Sequence, residues 1–186
     1  MGDSLMAGTG SSKAEASMAY IIAGKMGEQN LELINLAYPG VGVGDVLERQ
    51  VPKAIHENPK YIILMIGTND IHNKMTDSEF RQSYNSILKK LTSETRAKIS
   101  VVNIPYIGSD RVLLVPWNIL AEGRIKEFNR IIMDTAVNYN LSVIDLYGQF
   151  KNQFVHSSDF YSPDEFHPSD KGYKLWADYI YANLNR

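Results

Sequence analysis

Tyr61-Ile62-Ile63-Leu64-Met65-Ile66-Gly67-Thr68-Asn69-Asp70 holds the most continuous apolar run of the chain, and it stops abruptly at a glycine and three polar residues. Apolar side chains on consecutive positions leave neither face of a strand suited to water. The run therefore predicts a central strand covered on both sides, as in a parallel sheet. Ligands on such sheets bind beyond the carboxyl ends of the strands, so the turn around Asn69 is aimed at the binding crevice. The Asn69 side-chain NH2 can donate to a developing oxyanion there; Asn69 and Asp70 also suit a turn that simply closes the strand end.

Outward from this run, strand-length apolar segments at residues 31–37, 98–104 and 141–146 join 61–66. Between them, residues 16–27, 44–57, 77–91 and 119–139 carry apolar positions at three- and four-residue spacing, and 171–184 closes the chain in the same way. Strands alternating with amphipathic helices predict an α/β fold, a parallel sheet covered by helices. A length of 186 residues with 44% hydrophobic and 22% charged side chains is that of an ordinary soluble globule, expected as one domain over residues 1–186.

Charge and cysteine content exclude several classes of function. The formal charge of -2 comes from 19 basic and 21 acidic residues, with no concentrated Lys and Arg, so neither nucleic acid nor an anionic membrane is an expected partner. The chain has no cysteine, which removes disulfides, thiolate metal sites and a cysteine nucleophile but leaves the redox compartment open. No apolar run approaches the roughly 18 residues of a membrane span, and no signal-peptide pattern precedes Gly2, so the chain as given reads as soluble.

Gly2-Asp3-Ser4-Leu5 puts a serine where a strand would turn into a helix. Serine is a poor nucleophile near neutral pH and needs a base as it attacks. Asp164-x-x-His167 can supply one: residues three apart share a face in a helical turn, where the carboxylate accepts from the imidazole Nδ1–H and leaves Nε2 outward. The carboxylate would then fix the tautomer and stabilise the imidazolium formed during attack. Pro168 and Lys171 place the pair in a loop beside the last helix; taken alone, it also reads as a solvated Asp and a surface His.

A serine so placed calls for a preceding strand that delivers it to the carboxyl edge, yet only Met1 and Gly2 are available before Asp3. The N-terminus is expected to be truncated relative to the natural gene product; the alternative is a true start and a sheet one strand short. Upstream residues could also carry an export signal or anchor, which leaves the compartment open, secreted and membrane-anchored origins included.

Residues 35–45 end a strand in a glycine-bearing loop where Gly40, with Gly42 as nearest competitor, lets a backbone N–H approach a substrate oxygen. The loop fits neither a P-loop nor a dinucleotide fingerprint, and no cofactor is expected. His56 suits a helix end, where a cation complements the dipole. His72 follows Asn69 by three residues and can line the cleft or lie exposed; Leu5, Asp70 and Ile107 are further candidates for substrate contact. His156, Asp159, Asp164 and His167 lack a tight His pair, so no metal is expected. The connection from Pro105 to Gly108 and on through Leu113 to Trp117 is unusually apolar; it can flank the site and touch an acyl or aromatic group, or pack on the core.

With these elements in order, the chain resembles the SGNH hydrolases, the GDSL esterase and lipase superfamily. Gly2-Asp3-Ser4-Leu5, the Asn35-to-Gly40 segment, Gly67-Thr68-Asn69-Asp70 and Asp164-to-His167 with Pro168 resemble its four sequence blocks. Val143-Ile144-Asp145-Leu146 and the residues from His167 to Tyr173 are similar to it as well. The resemblance implies a flavodoxin-like, three-layer α/β/α fold of five parallel strands, a Ser4–His167–Asp164 triad, and an oxyanion hole from the Ser4 and Gly40 N–H groups and the Asn69 side chain. The sequence departs from that pattern at the first strand. The activity implied is a serine ester hydrolase for small acyl or acetyl esters of a lipid, sugar or aryl alcohol. The alternatives are acyl transfer or deacetylation on carbohydrate, or a silent carbohydrate-binding relative.

Overall fold

The apolar run forms β1 (Tyr61–Leu64), which pairs in parallel with β2 (Lys98–Val102), and β2 pairs in parallel with β3 (Val143–Ile144). Tyr61 lies opposite Lys98 and Leu64 opposite Val101; Val101 and Val102 lie opposite Val143 and Ile144. On the free side of β1, Gly2 makes a single parallel bridge with Met65. This computed structural model describes residues 1–108, 117–155 and 157–185.

The helices are α1 (Ser4–Ala7), α2 (Met18–Met26), α3 (Val43–Asp45), α4 (Val51–Glu57), α5 (Thr68–His72), α6 (Asp77–Glu94), α7 (Trp117–Val137), α8 (Leu146–Val155) and α9 (Asp170–Ala182). Side chains of a strand alternate between faces, and the two faces of this sheet carry separate cores. Ile62 and Leu64 pack with Val51 of α4, Phe80 and Leu88 of α6, and Phe128 of α7. Met65, Val102 and Ile144 face the other way, among Met18 and Ile22 of α2, Phe150 and Phe154 of α8, and Trp176 and Ile180 of α9. The result is a three-layer α/β/α arrangement. Helix α6 shows why the local sequence is helical: Thr76 and Glu79 form a capping box, and Phe80, Tyr84, Ile87, Leu88 and Leu91 make one buried stripe. Among the described residues no helix is long and apolar enough to cross a membrane.

Residues 31–37 are not a sheet strand, contrary to the sequence expectation. A strand needs a ladder, and this segment has isolated ties instead: Leu31 N–H donates to the Glu28 carbonyl (3.3 Å), Asn35 Nδ2 to the Met6 carbonyl (3.0 Å) and Tyr38 N–H to the Gly2 carbonyl (3.2 Å). A cavity of about 380 Å³, lined by Leu31, Leu33, Ile34, Tyr61 and Ile63 among others, borders the rest of it. The segments 98–104 and 141–146 form shorter strands than expected: the backbone pairing ends with Asn103 N–H donating to the Ile144 carbonyl (3.2 Å), and the Asn103 and Asp145 side chains take over from there. Asn103 Oδ1 accepts from Leu146 N–H (2.8 Å), and its Nδ2 donates to Asp145 Oδ1 (2.6 Å). Leu146 accordingly starts α8, whose buried Leu146, Phe150 and Phe154 recur every fourth residue.

The segment ahead of α1 is held in an unusual way. Gly2 has φ 148°, and a Cβ there would lie 2.0 Å from the Met65 carbonyl oxygen, so only glycine fits the bridge. Its N–H donates to Gln50 Oε1 and its carbonyl accepts from Gln50 Nε2, both at 2.8 Å. One carboxamide thus stands in for a neighbouring strand. Gln50 reaches this position from a π-helical turn, Val46–Gln50, set between α3 and α4; a wider turn of this kind shifts the phase of a helix at one point. Asp3 then caps α1, accepting from Leu5 N–H (3.0 Å), and is 1% exposed. Burial raises its pKa to about 7.

Gln50→Leu leaves the Gly2 N–H without a partner in a buried site, while the Gly2 carbonyl keeps the Tyr38 N–H; at about 1–3 kcal/mol for an unsatisfied group, denaturant unfolding is expected to show a loss of that size. A loss under about 0.5 kcal/mol would show that the carboxamide is dispensable. Asp3 gives a pH signature. Its pKa rises on folding from 3.8 to about 7, so the native state holds the proton more tightly. The associated stability is present below pH 4 and is lost as pH rises toward and through 7. Asp3→Asn keeps a cap and removes the titration. In urea melts the variant is expected to gain on the parent steadily across that window, by at most about 4 kcal/mol; parallel curves would contradict the assignment.

Candidate active site

Ser4 is the first residue of α1 and is 6% exposed. Its Oγ lies 3.0 Å from His167 Nε2, and His167 Nδ1 lies 2.6 Å from Asp164 Oδ2. The chain brings together residues 163 positions apart. Two ties support this approach: Tyr173 of α9 donates its hydroxyl to the Thr9 carbonyl (2.7 Å), and Ser12 bonds through N–H and hydroxyl to Asp170 (2.8 and 2.5 Å).

Asp164 and His167 meet in a loop closed by an antiparallel bridge between Tyr161 and Pro168, not on the face of a helical turn. Glu165 has φ 58°, which breaks any helical continuation. The Asp164 side chain shapes the turn instead: Oδ1 accepts from Phe166 N–H (2.9 Å), His167 N–H (2.9 Å) and the Ser162 hydroxyl (2.8 Å), leaving Oδ2 to the imidazole. Burial alone would raise the Asp164 pKa. The hydrogen bonds from the His167 ring and backbone, Phe166 and Ser162 outweigh it and hold the carboxyl well below the usual range. The group beside the imidazole is therefore a carboxylate, and it favours a proton on Nδ1.

Asn69, second residue of α5, donates Nδ2 to the Val41 carbonyl (2.8 Å). A carboxamide has two amide hydrogens, so this bond orients the group and leaves the second hydrogen for another acceptor. Gly40 follows Pro39 in a turn and has φ 82°, as the second central residue of a Pro-Gly turn requires. Of the other residues expected near substrate, Leu5 (1% exposed) and Ile107 (7%) lie in the two cores, and Asp70 (2%) accepts from Val43 N–H. His72 is exposed at the end of α5, and His56 is exposed near the end of α4. His156 and residues 109–116 of the apolar connection lie outside the described residues.

Sequence reasoning missed Gln50 and Ser162. The first had a signal: a glutamine among the apolar positions Val46, Val51 and Ala54 is a polar group bound for the interior and needs a partner there. Ser162, two residues before Asp164, carried none.

The family model described as GDSL-like Lipase/Acylhydrolase matches residues 1–175. Among solved structures, a lipase/acylhydrolase from Enterococcus faecalis is similar at 25% identity and TM-score 0.76, covering 98% of this chain and 94% of its own. A psychrotrophic esterase from Pseudoalteromonas sp. shares the fold at 20% identity and TM-score 0.77, covering 98% and 92%. An acetylxylan esterase from Geobacillus stearothermophilus does so at 18% identity and TM-score 0.73, covering 96% and 89%. No curated protein matches in sequence. The serine, glycine, asparagine and histidine blocks thus fall within a match that spans nearly the whole sequence, and the chain belongs to the GDSL-like lipase/acylhydrolase family.

Proposed function

We propose that residues 1–186 form a single catalytic domain, a serine carboxylic-ester hydrolase for small acyl esters, with Ser4 as nucleophile, His167 as general base and acid, and Asp164 as its orienting carboxylate. The observation that carries this reading is the continuous chain from Ser4 Oγ to His167 Nε2 (3.0 Å) and from Nδ1 to Asp164 Oδ2 (2.6 Å). As Oγ bonds to the ester carbonyl carbon, its proton passes to Nε2 and the carbonyl oxygen takes the negative charge. The Ser4 and Gly40 N–H groups and the second Asn69 amide hydrogen hold that oxygen. Collapse breaks the bond to the alcohol oxygen, which takes the proton from His167. Water, deprotonated by the same imidazole, then releases the acid and frees Ser4. No cofactor or metal enters these steps.

A second reading directs the same acyl-enzyme to carbohydrate, as deacetylation or as acyl transfer to a sugar hydroxyl. It is favoured by Tyr38, 70% exposed and two residues before Gly40, where an aromatic face can pack against a sugar ring. The similarity in fold to an acetylxylan esterase agrees with it.

Loss of a triad serine can cost about 10⁶ in turnover, so Ser4→Ala is expected to reduce hydrolysis of p-nitrophenyl acetate to background. Undiminished turnover would overturn the assignment. Acetate release from acetylated xylan, lowered several-fold by Tyr38→Ala while p-nitrophenyl acetate turnover holds, is expected if carbohydrate is the alcohol; equal loss on both substrates would contradict that reading.

A further inference from the structure

We propose that Asp70 is a positioning residue of the oxyanion hole: from the interior, it fixes the loop that carries Gly40 against the helix that carries Asn69. The inference rests on the ester-hydrolase reading above and concerns a group that reading leaves idle. Asp70 follows Asn69 in α5 and is 2% exposed, so it is closed to substrate. Its two carboxylate oxygens lie 3.0 and 3.1 Å from the N–H of Val43, the first residue of α3. A helix start offers unpaired N–H groups and a positive dipole end, and a carboxylate satisfies both.

The neighbouring contacts make this a clamp. Asn69 Nδ2 holds the Val41 carbonyl at 2.8 Å. Between the two tied residues, the backbone of Gly42 lies so close to the carboxylate that a Cβ there would sit 2.4 Å from Asp70 Oδ1. Residues 41–43 are thus held by two consecutive side chains of one helix. Gly40, next along, is exposed, and a Cβ built on it would meet nothing within 4 Å. Its position is inherited from 41–43. Two of the three donors proposed for the oxyanion, the Gly40 N–H and the Asn69 amide, thus keep a common frame through Asp70.

A donor out of place weakens the transition state and leaves ground-state binding almost unchanged. Asp70→Leu keeps the branched skeleton of the side chain and has no acceptor. Per folded molecule it is expected to lower kcat on p-nitrophenyl acetate by about 10²-fold, the scale of one lost oxyanion donor, with KM within about threefold of the parent. Asp70→Asn retains an acceptor for Val43 N–H and is expected to recover most of that loss. Combined with Asn69→Ala, Asp70→Leu is expected to add much less than its own factor, because both act on one hole. Should Asp70→Leu fail to fold, Gly42→Ala, which crowds the carboxylate, is expected to give the same selective loss of kcat. A rise in KM at constant kcat, an unchanged kcat, or fully multiplicative effects would overturn the inference. Ser4→Ala assayed alongside separates the two levels: full activity in Ser4→Ala defeats the hydrolase reading, whereas inactive Ser4→Ala beside a fully active Asp70→Leu defeats only the clamp.

Discussion

Gly2 lies in the sheet through one bridge to Met65, and its remaining backbone groups are met by the Gln50 carboxamide and the Tyr38 N–H. Two residues later the chain turns into α1 and presents Ser4 beyond the end of β1. The position of Ser4, the proposed nucleophile, therefore depends on a two-residue stretch of ladder, in which Met1 donates to the Ile63 carbonyl (2.9 Å) and accepts from Met65 N–H (3.2 Å), and on the Gln50 carboxamide beside it. Both supports are specific: the bridge admits only a residue without Cβ, and the carboxamide must come from a helix whose phase is shifted by a π turn. A similar device appears at the end of β2, where Asn129 pairs both backbone groups of Ile104 at 2.8 Å. Where the ladder stops, side-chain amides continue it.

The proposed reactive row combines two kinds of control. Asp164 uses one oxygen to build its loop and the other to orient the imidazole, so the turn that exists and the charge that is needed have a common cause. The hydrogen bonds that shape the loop also keep the carboxyl ionised. Asn69 and Asp70 fasten residues 41–43 through hydrogen bonds separate from those of Asp164 and His167, so the segment proposed to receive negative charge and the row proposed to move the proton are held by different contacts.

Much of this was legible in the sequence, for physical reasons that differ by element. The run from Tyr61 to Ile66 read correctly as containing a strand, but its place did not: β1 ends the order β1-β2-β3 with only the Gly2 bridge beyond it, and Tyr61 and Ile63 are half-buried; α6 read correctly because a capping box precedes a helical stripe. Ser4 and Asn69 were expected just beyond strand ends, and they lie at the starts of α1 and α5; the roles given to them, to Asp164 and to His167 are those proposed above. Residues 31–37 misled because strand composition does not supply a partner, and α8 was hidden by Gly148 and by its continuity with β3. The turn geometry of Asp164 and His167 was beyond reach as well: spacing of three suits a helix and an Asp-closed loop equally, and only the positive φ of Glu165 decides.

The central claim is that Ser4, alone among the serines, is activated by His167. Reaction of the intact protein with a fluorophosphonate, followed by whole-protein mass measurement and peptide mapping, tests it most directly. The expected result is a single adduct per chain located on Ser4 and lost in His167→Ala. An adduct on another serine, or hydrolytically active protein that takes up no label, would contradict the account.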